Sequence, residues 1–158
     1  MPLAPSVDLE RFMGTWYVIA AIPTLIERDP YNPVERYAQN QDGSIATTFT
    51  FRQGSFQGPQ KTYHPTGYVV PGSGNAEWRM QFLWPFKSEY LIAYVSDDYA
   101  HTIIARRKRD YVWIMSRQAE PDTTTYQALV AKVKMLGYDP EKLVKFPQSP
   151  AQHQKDNK

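Results

Sequence analysis

The feature that most constrains the fold is a series of short apolar runs separated by turn sequences, with no helical pattern between them. Residues 77–84 form the clearest of these runs. Its even positions hold Trp78, Met80, Phe82 and Trp84, and its odd positions include Glu77, Arg79 and Gln81. Alternation with a period of two is typical of a strand that has one face in an apolar interior and the other in water.

Comparable runs recur along most of the chain. They span residues 14–22, 35–40, 45–51, 62–70, 89–95, 101–106 and 111–117. Residues 24–33 contain two prolines and no sustained period, so they are interpreted as a long loop. About eight consecutive strands joined mostly by tight turns favour an antiparallel barrel or sandwich.

One helix is predicted after the last strand. Asp122 and Thr123 are candidate caps, and Gly137 is placed to end the helix. The apolar positions at helical spacing are Tyr126, Leu129, Val130, Val133 and Leu136. Residues 90–95 and 111–115 are apolar on both faces, so we expect the helix to cover the outside of these final strands. Residues 1–148 are predicted to form one domain, and residues 149–158 a disordered tail.

Composition and motifs exclude several classes of function. The chain of 158 residues has no cysteine and a net charge of +2, which argues against thiolate chemistry and against a nucleic-acid surface. It has no nucleophile elbow and no phosphate-binding loop, and its three histidines lack a second ligand at metal-binding spacing. We therefore expect no catalytic residue, no metal and no cofactor.

Four short segments together resemble a known family. Gly14-Thr15-Trp16 follows a short N-terminal turn, Asp98-Tyr99 precedes the seventh strand, and Arg117 ends the eighth. In this order they resemble the three motifs of the lipocalins. The segments DLERFMGTWY, ERYAQNQDGSI, QFLWPF and RDYVWIMSR are similar to bacterial outer-membrane lipocalins related to apolipoprotein D.

The resemblance implies an all-β fold: an eight-stranded antiparallel up-and-down barrel with one C-terminal helix packed outside and a cup-shaped cavity within. It also implies a barrel floor at one end. Trp16 would plug that end, Gly14 would let the chain pass closely beneath it, and Arg117 would lie across the indole.

Alternation along the strands gives a candidate ligand-binding set. We expect the cavity to be lined by Thr47, Phe49, Val69, Trp78, Met80, Phe82, Tyr90, Ile92 and Tyr94, with Val18 and Ala20 on the first strand. Glu35 and Tyr37 are expected near the mouth, where they suit a lipid headgroup. A single bulge would exchange the two faces of a strand.

The resemblance implies binding and carriage of a small hydrophobic ligand, namely a fatty acid, phospholipid or lysophospholipid, without catalysis. Two alternatives stay open: a lipid-modifying enzyme that uses Glu35, and a filled barrel that acts in protein–protein contact. The expected partners are a lipid and, peripherally, a membrane, with no nucleic acid and no stated oligomeric state. The resemblance places the chain in the periplasm or outer membrane if it is trimmed, whereas a complete chain without a signal peptide or lipidated Cys is expected in the cytoplasm.

Overall fold

The computed structural model describes residues 1–24, 28–83 and 85–156. Every strand pairing in this part of the chain is antiparallel. The strands are β1 (Gly14–Ile22), β2 (Pro30–Gln39), β3 (Ile45–Gln53), β4 (Gln60–Tyr63), β5 (Thr66–Val69), β6 (Glu77–Leu83), β7 (Phe86–Val95), β8 (His101–Ala105), β9 (Val112–Ser116) and β10 (Val144–Lys145). The helices are α1 (Leu9–Phe12), α2 (Thr123–Met135) and α3 (Pro150–Asp156), with a 3-10 turn at Pro140–Lys142.

The sheet closes on itself because β1 pairs with both β2 and β9. Both β4 and β5 pair with β3, so they act as two halves of one interrupted strand. The predicted run 62–70 is broken at Pro65, which has no N–H to donate to a ladder. The result is a closed eight-stranded antiparallel barrel, and the short β10 pairs in addition with β1. This confirms the predicted fold class.

The barrel has apolar side chains on both sides of its later strands. Inside, one cluster includes Trp16, Phe49 and Trp78. Outside, a second cluster joins Leu129 and Val133 of α2 to the outer faces of β1, β8 and β9. This confirms that the helix covers the final strands.

The ends of α2 follow from its sequence. The carboxylate of Asp122 accepts a hydrogen bond from the Thr125 N–H at 2.7 Å, which satisfies one of the free donors of the first turn. Gly137 follows the helix with a φ of +98°, a conformation that favours glycine. None of the helices in the described part of the chain is both long and apolar enough to cross a bilayer.

Two regions differ from the sequence predictions. β2 begins at Pro30, inside the predicted loop 24–33, because the left-handed Asn32 (φ 53°) and a register shift between Tyr31 and Val34 carry the pairing past the second proline. Residues 25–27 of that loop, and Trp84 of the alternating run, lie outside the described residues.

The C-terminal segment, predicted to be disordered from residue 149, contains the helix α3. His153 is buried, with its ring 4.7 Å from that of Tyr17 and a ring nitrogen 2.5 Å from Gln148 Oε1. Gln148 in turn donates hydrogen bonds to the carbonyls of Val18 and Pro33. A polar segment that offers little apolar surface is thus held by side-chain hydrogen bonds to carbonyls of β1 and β2, which composition does not reveal.

The closed end of the barrel is built around Trp16 and Arg117. Trp16 is fully buried, and its indole N–H donates to the Phe12 carbonyl at 2.8 Å. The guanidinium carbon of Arg117 lies 3.7 Å from the centre of the Trp16 ring. Gly14 has a φ of +95°, a backbone conformation that favours glycine, and a Cβ there would be in ordinary contact with Arg117 Nη1 at 3.5 Å.

Carbonyl oxygens hold the Arg117 guanidinium in place. It donates to the carbonyls of Thr15 at 2.7 Å, Arg11 at 2.8 Å, Met13 at 2.9 Å and Tyr99 at 3.2 Å. These contacts tie the end of β9 to the N-terminal segment before and within β1. The structure therefore brings Gly14, Trp16 and Arg117 together at one end of the barrel.

We predict that Trp16→Ala destabilises the protein by about 3–5 kcal/mol, because it removes a fully buried ring and leaves a cavity. Urea unfolding followed by circular dichroism measures the loss. The control is Met135→Ala on α2, whose side chain is 85% exposed, so its free energy of unfolding should barely change. A Trp16→Ala protein of unchanged stability that bound ligand poorly would show that Trp16 belongs to the binding site rather than to the floor.

Candidate functional site

The interior of the barrel holds a cavity of ≈ 170 Å³. Most of its wall is apolar, from the side chains of Phe49, Met80, Phe82, Ile104, Trp113 and Met115. The remaining lining residues are Thr24, Glu35, Pro65, Ser88, Glu89, Tyr90, Arg106 and Tyr111. Several of these lie at the strand ends farthest from Gly14, so the mouth lies opposite the floor.

Most of the predicted ligand-binding residues lie inside the barrel, in two groups. Glu35, Phe49, Met80, Phe82 and Tyr90 line the cavity. Others belong to the inner core without lining the cavity, namely Tyr37, Thr47, Val69, Trp78 and Ile92. The Trp78 ring stacks on Tyr90 at 4.9 Å, so these side chains fill the half of the barrel nearer the floor.

Tyr94 does not face the cavity, contrary to the prediction. The register of β7 with β8 shifts between Ile92 and Tyr94, and this bulge turns Tyr94 to the outer face. There the Lys132 ammonium of α2 lies 4.5 Å from the centre of its ring. A second bulge in β1 keeps Val18 inside and moves Ala20 to the outer cluster, so the prediction for Ala20 is also wrong.

Glu35 and Tyr37 lie deep in the barrel rather than near its mouth. Tyr37 pairs with Gly14, and Glu35 pairs with Trp16 on one side and Phe49 on the other. The Tyr37 ring contacts both Phe12 and Trp78, 5.7 Å away in each case. The position of β2 against β1 therefore sets Glu35 at the base of the cavity.

A chain of three polar side chains forms this base. The Tyr37 hydroxyl donates to Glu35 Oε2, and it also lies 2.6 Å from the Tyr90 hydroxyl. When Glu35 is ionised, the single Tyr37 proton goes to its carboxylate, so Tyr90 donates to the Tyr37 oxygen. Within the described residues, Glu35 Oε1 has no hydrogen-bond partner, and the carboxyl group opens onto the cavity.

Burial dominates the titration of this cluster. It raises the pKa of Glu35 to about 7, against the opposing effect of the hydrogen bond from Tyr37. Burial also raises the pKa of the Tyr37 and Tyr90 hydroxyls, and the nearby Glu35 carboxylate raises both further. Glu35 therefore exchanges its proton near neutral pH while both phenols keep theirs.

Other charged groups around the mouth are already paired. Arg106 Nε lies 2.9 Å from Asp110 Oδ1. Arg107 bridges Glu77 at 2.8 Å and Glu89 at 2.7 Å. These pairs leave Glu35 as the one charged group lining the cavity that lacks an oppositely charged partner among the described residues.

Part of the cavity wall comes from residues outside the predicted ligand-binding set. Ile104, Trp113 and Met115 line it, and they come from β8 and β9, both of which are apolar on both faces. Trp113 and Met115 face inward while Val112 and Ile114 pack under α2. The period-two alternation was visible, but nothing in it distinguished the cavity side from the helix side.

Within the described residues, no group of three or more His, Cys, Asp or Glu side chains is placed to hold a metal ion. The polar atoms at the cavity base are oxygens of one carboxyl and two phenols. They can donate or accept hydrogen bonds, and the carboxyl can gain or lose a proton.

Comparison with known sequences agrees with this architecture. Residues 7–148 match the sequence model of the lipocalin-like domain. The chain belongs to the lipocalin family. It is 33% identical to temperature-induced lipocalin-1 of Arabidopsis thaliana, over 94% of this chain and 83% of the relative.

The lipocalin also resembles bacterial proteins of the branch indicated by its sequence. It is 26% identical to the outer membrane lipoprotein Blc of Escherichia coli, over 88% of this chain and 78% of the relative. Among solved structures, insecticyanin of Manduca sexta superposes with a TM-score of 0.74 at 16% identity, covering 96% of this chain and 85% of the other. The structural likeness supports the shared fold.

We predict that Glu35 makes the stability of this lipocalin fall as pH rises. The folded protein holds the Glu35 proton up to a pKa of about 7, whereas the unfolded chain releases it near 4.5, so the free energy of unfolding declines across that window. Each pKa unit is worth ~1.4 kcal/mol, so the total decline is on the order of 3 kcal/mol. Glu35→Gln should remove the decline.

Urea unfolding of wild type and Glu35→Gln between acid and slightly alkaline pH measures this difference. The control is Glu141→Gln on the exposed 3-10 turn, which should keep the wild-type slope. Stability curves for wild type and Glu35→Gln that run parallel across the window would contradict the assignment.

Proposed function

We propose that this lipocalin binds and carries a lipid with a single hydrocarbon chain in its barrel cavity, without acting on it chemically. The observation that supports this is the cavity itself, which is enclosed by large apolar side chains such as Phe49, Ile104 and Met115. Such a wall binds an apolar chain by excluding water, and each buried methylene contributes ~0.8 kcal/mol.

The size of the cavity favours a single chain over a diacyl phospholipid. Its volume of ≈ 170 Å³ is below the roughly 300–1,000 Å³ usual for ligand pockets. Trp78 and Tyr90 occupy the half nearer the floor, so a long chain would extend past Phe82 at the mouth. A fatty acid or another single-chain lipid fits this space better than a two-chain lipid.

Carriage is proposed rather than catalysis because of the groups around Glu35. Its hydrogen-bond partner is the Tyr37 hydroxyl, whose pKa is held well above its usual range by burial, so it does not supply a nucleophile near neutral pH. A lysophospholipid incubated with the protein is therefore expected to be recovered intact. Turnover that is lost in Glu35→Gln would favour the enzyme alternative.

Binding is tested with a series of alkyl ligands of increasing length by calorimetry. Affinity should rise roughly fourfold per methylene until the chain fills the cavity, and then level off. Ser88→Trp should weaken binding, because Ser88 lines the cavity next to Met80, its pairing partner on β6. It is also exposed enough to accept a larger side chain.

The matched control for that variant is Tyr68→Trp, which places an indole on the outer surface of β5, where Tyr68 is 37% exposed beneath Lys87. It should bind like wild type. Protein purified without added lipid should also release an acyl ligand on extraction, as detected by mass spectrometry. No extracted lipid and no binding across the series would favour the filled-barrel alternative.

We further propose that the β6–β7 hairpin docks on a lipid surface, from which the ligand comes. Phe82, Leu83 and Phe86 are 49%, 71% and 73% exposed, and Phe82 also lines the cavity. Exposed apolar side chains clustered in this way are typical of an interaction site, and Lys87 beside them suits an anionic membrane. Since the E. coli and Citrobacter freundii relatives are named outer membrane lipoproteins, the proposed location is the bacterial cell envelope.

The double variant Leu83→Ser, Phe86→Ser should lose most of its co-sedimentation with vesicles of phosphatidylcholine and phosphatidylglycerol, because it removes the exposed apolar contacts. Met135→Ser is the control, since Met135 is even more exposed, at 85%, but lies on α2. Equal binding of all three proteins to the vesicles would place the docking surface elsewhere.

A further inference from the structure

The base of the cavity is polar although its walls are apolar. Glu35 lies there with one carboxyl oxygen bonded to Tyr37 and the other open to the cavity, and neither Met80 nor Phe49 beside it offers a hydrogen bond. A hydrocarbon end pressed against this oxygen would leave a buried polar group without a partner, which costs free energy. The ligand must therefore bring a polar atom to the base or leave water there.

The direction of the hydrogen bonds determines which polar atom fits. When Glu35 is ionised, Tyr90 donates to Tyr37 and Tyr37 donates to Glu35, so both protons of the chain point toward the carboxylate. In its ionised form Glu35 presents only acceptor oxygens to the cavity. The complementary group is a hydrogen-bond donor.

We propose that Glu35, with Tyr37 and Tyr90, forms a subsite for the hydrogen-bond-donating end of a single-chain ligand, a hydroxyl or an ammonium group, which enters the barrel polar end first. This inference rests on the proposed function and determines its specificity. Glu35 is the residue that contacts the ligand, and Tyr37 and Tyr90 are positioning residues.

The apolar hairpin at the mouth agrees with this orientation. A ligand that entered tail first would leave its polar group beside Phe82, Leu83 and Phe86. A ligand that entered polar end first places its hydrocarbon chain there instead. The charged residues that also line the cavity, Arg106 and Glu89, are already held in ion pairs.

Few other charged or titratable groups face Glu35. From β1 and β3 its neighbours are Trp16 and Phe49, neither of which titrates. From β2 and β7 they are Tyr37 and Tyr90. The Arg117 guanidinium packs against the Trp16 ring and is bound by backbone carbonyls. Arg106 and Glu89, which also line the cavity, are held in ion pairs with Asp110 and Arg107.

Chain-matched ligands test the proposal. Dodecylamine, dodecanol and dodecanoate share one hydrocarbon chain and differ in the end group, and diphenylhexatriene serves as a fluorescent probe with no polar group. In wild type above neutral pH we expect dodecylamine and dodecanol to bind at least tenfold more tightly than dodecanoate. Preference for the amine alone would show that the subsite takes a cation. Comparable affinity for the amine and the alcohol would show that it also takes a neutral hydrogen-bond donor.

The pH dependence supplies an independent readout. Because ionised Glu35 pairs with the ammonium group, dodecylamine affinity should rise by up to about tenfold per pH unit toward neutral pH and then level off. Dodecanoate affinity should fall as pH rises, because its carboxylate and that of Glu35 can lie together only while they share one proton. Dodecanol affinity should change least.

Glu35→Gln keeps the size of the side chain and removes its charge. It should bind dodecylamine at least tenfold more weakly, bind dodecanoate more tightly through the amide N–H, and lose both pH slopes. Glu141→Gln is the control of equal charge change, on the exposed 3-10 turn. Tyr37→Phe removes the hydrogen-bond donor to Glu35. This variant should still prefer the amine, but the pH midpoint of its dodecylamine binding should move upward.

The outcomes separate this inference from the proposed function. If the three ligands bind wild type and Glu35→Gln with the same affinities and slopes, the subsite is refuted while lipid binding stands. If neither diphenylhexatriene nor any of the three chains binds, the proposed function itself fails. Tighter binding of dodecanoate than dodecylamine by wild type at all pH values would overturn the assigned polarity.

Discussion

The placement of the Arg117 guanidinium over the Trp16 indole is the interaction on which the rest of the barrel depends. The charge is taken partly out of water, and burial accordingly lowers its pKa. That cost is offset by an aromatic face at 3.7 Å and by hydrogen bonds to several backbone carbonyls. The planar fork of arginine can reach carbonyls from the N-terminal segment and from the β7–β8 turn at once. A lysine ammonium in the same place would keep the charge but not this geometry.

The floor in turn determines how much of the barrel can hold a ligand. Above Trp16 lies a layer of contacting rings that includes Phe12, Tyr37 and Trp78, and Trp78 stacks on Tyr90. Close packing of these rings stabilises the closed half and leaves the open half for binding. The short cavity is therefore a consequence of how the floor is built. Glu35 is at its base because it lies two residues before Tyr37 on the same face of β2, one step farther from the floor.

Much of this arrangement could be predicted from the sequence. The alternation of residues 77–83 predicted which faces of β6 are buried, and the two apolar faces of β9 predicted a helix outside the barrel. Tyr94 and Ala20 were assigned to the wrong face because a bulge adds one residue to a strand without changing its composition. Local sequence carries little information about such bulges, since they arise from the twist and closure of the whole sheet.

The depth of Glu35 could not be predicted for a related reason. Its distance from the floor depends on the start of β2 at Pro30 and on its register with β1, and residues 24–33 were interpreted as a loop. The sequence placed Glu35 near the cavity mouth, but its position between Val34 and Arg36 does not show how deep in the barrel it lies. The pairing with Trp16 and Phe49 shows that it lies at the cavity base.

The hairpin and the cavity base are consistent with one route for a ligand. If Leu83 and Phe86 enter the surface of a bilayer, the mouth beside Phe82 lies at the level of the lipid headgroups. The polar end of a membrane lipid lies at that level, whereas its chain lies beneath. A single-chain lipid that moves into the barrel thus presents its polar end first, and its chain follows along the apolar side chains of the hairpin. A polar cavity base and an apolar hairpin beside the mouth suit such a transfer, because the hydrocarbon chain then stays against apolar side chains and is never fully exposed to water.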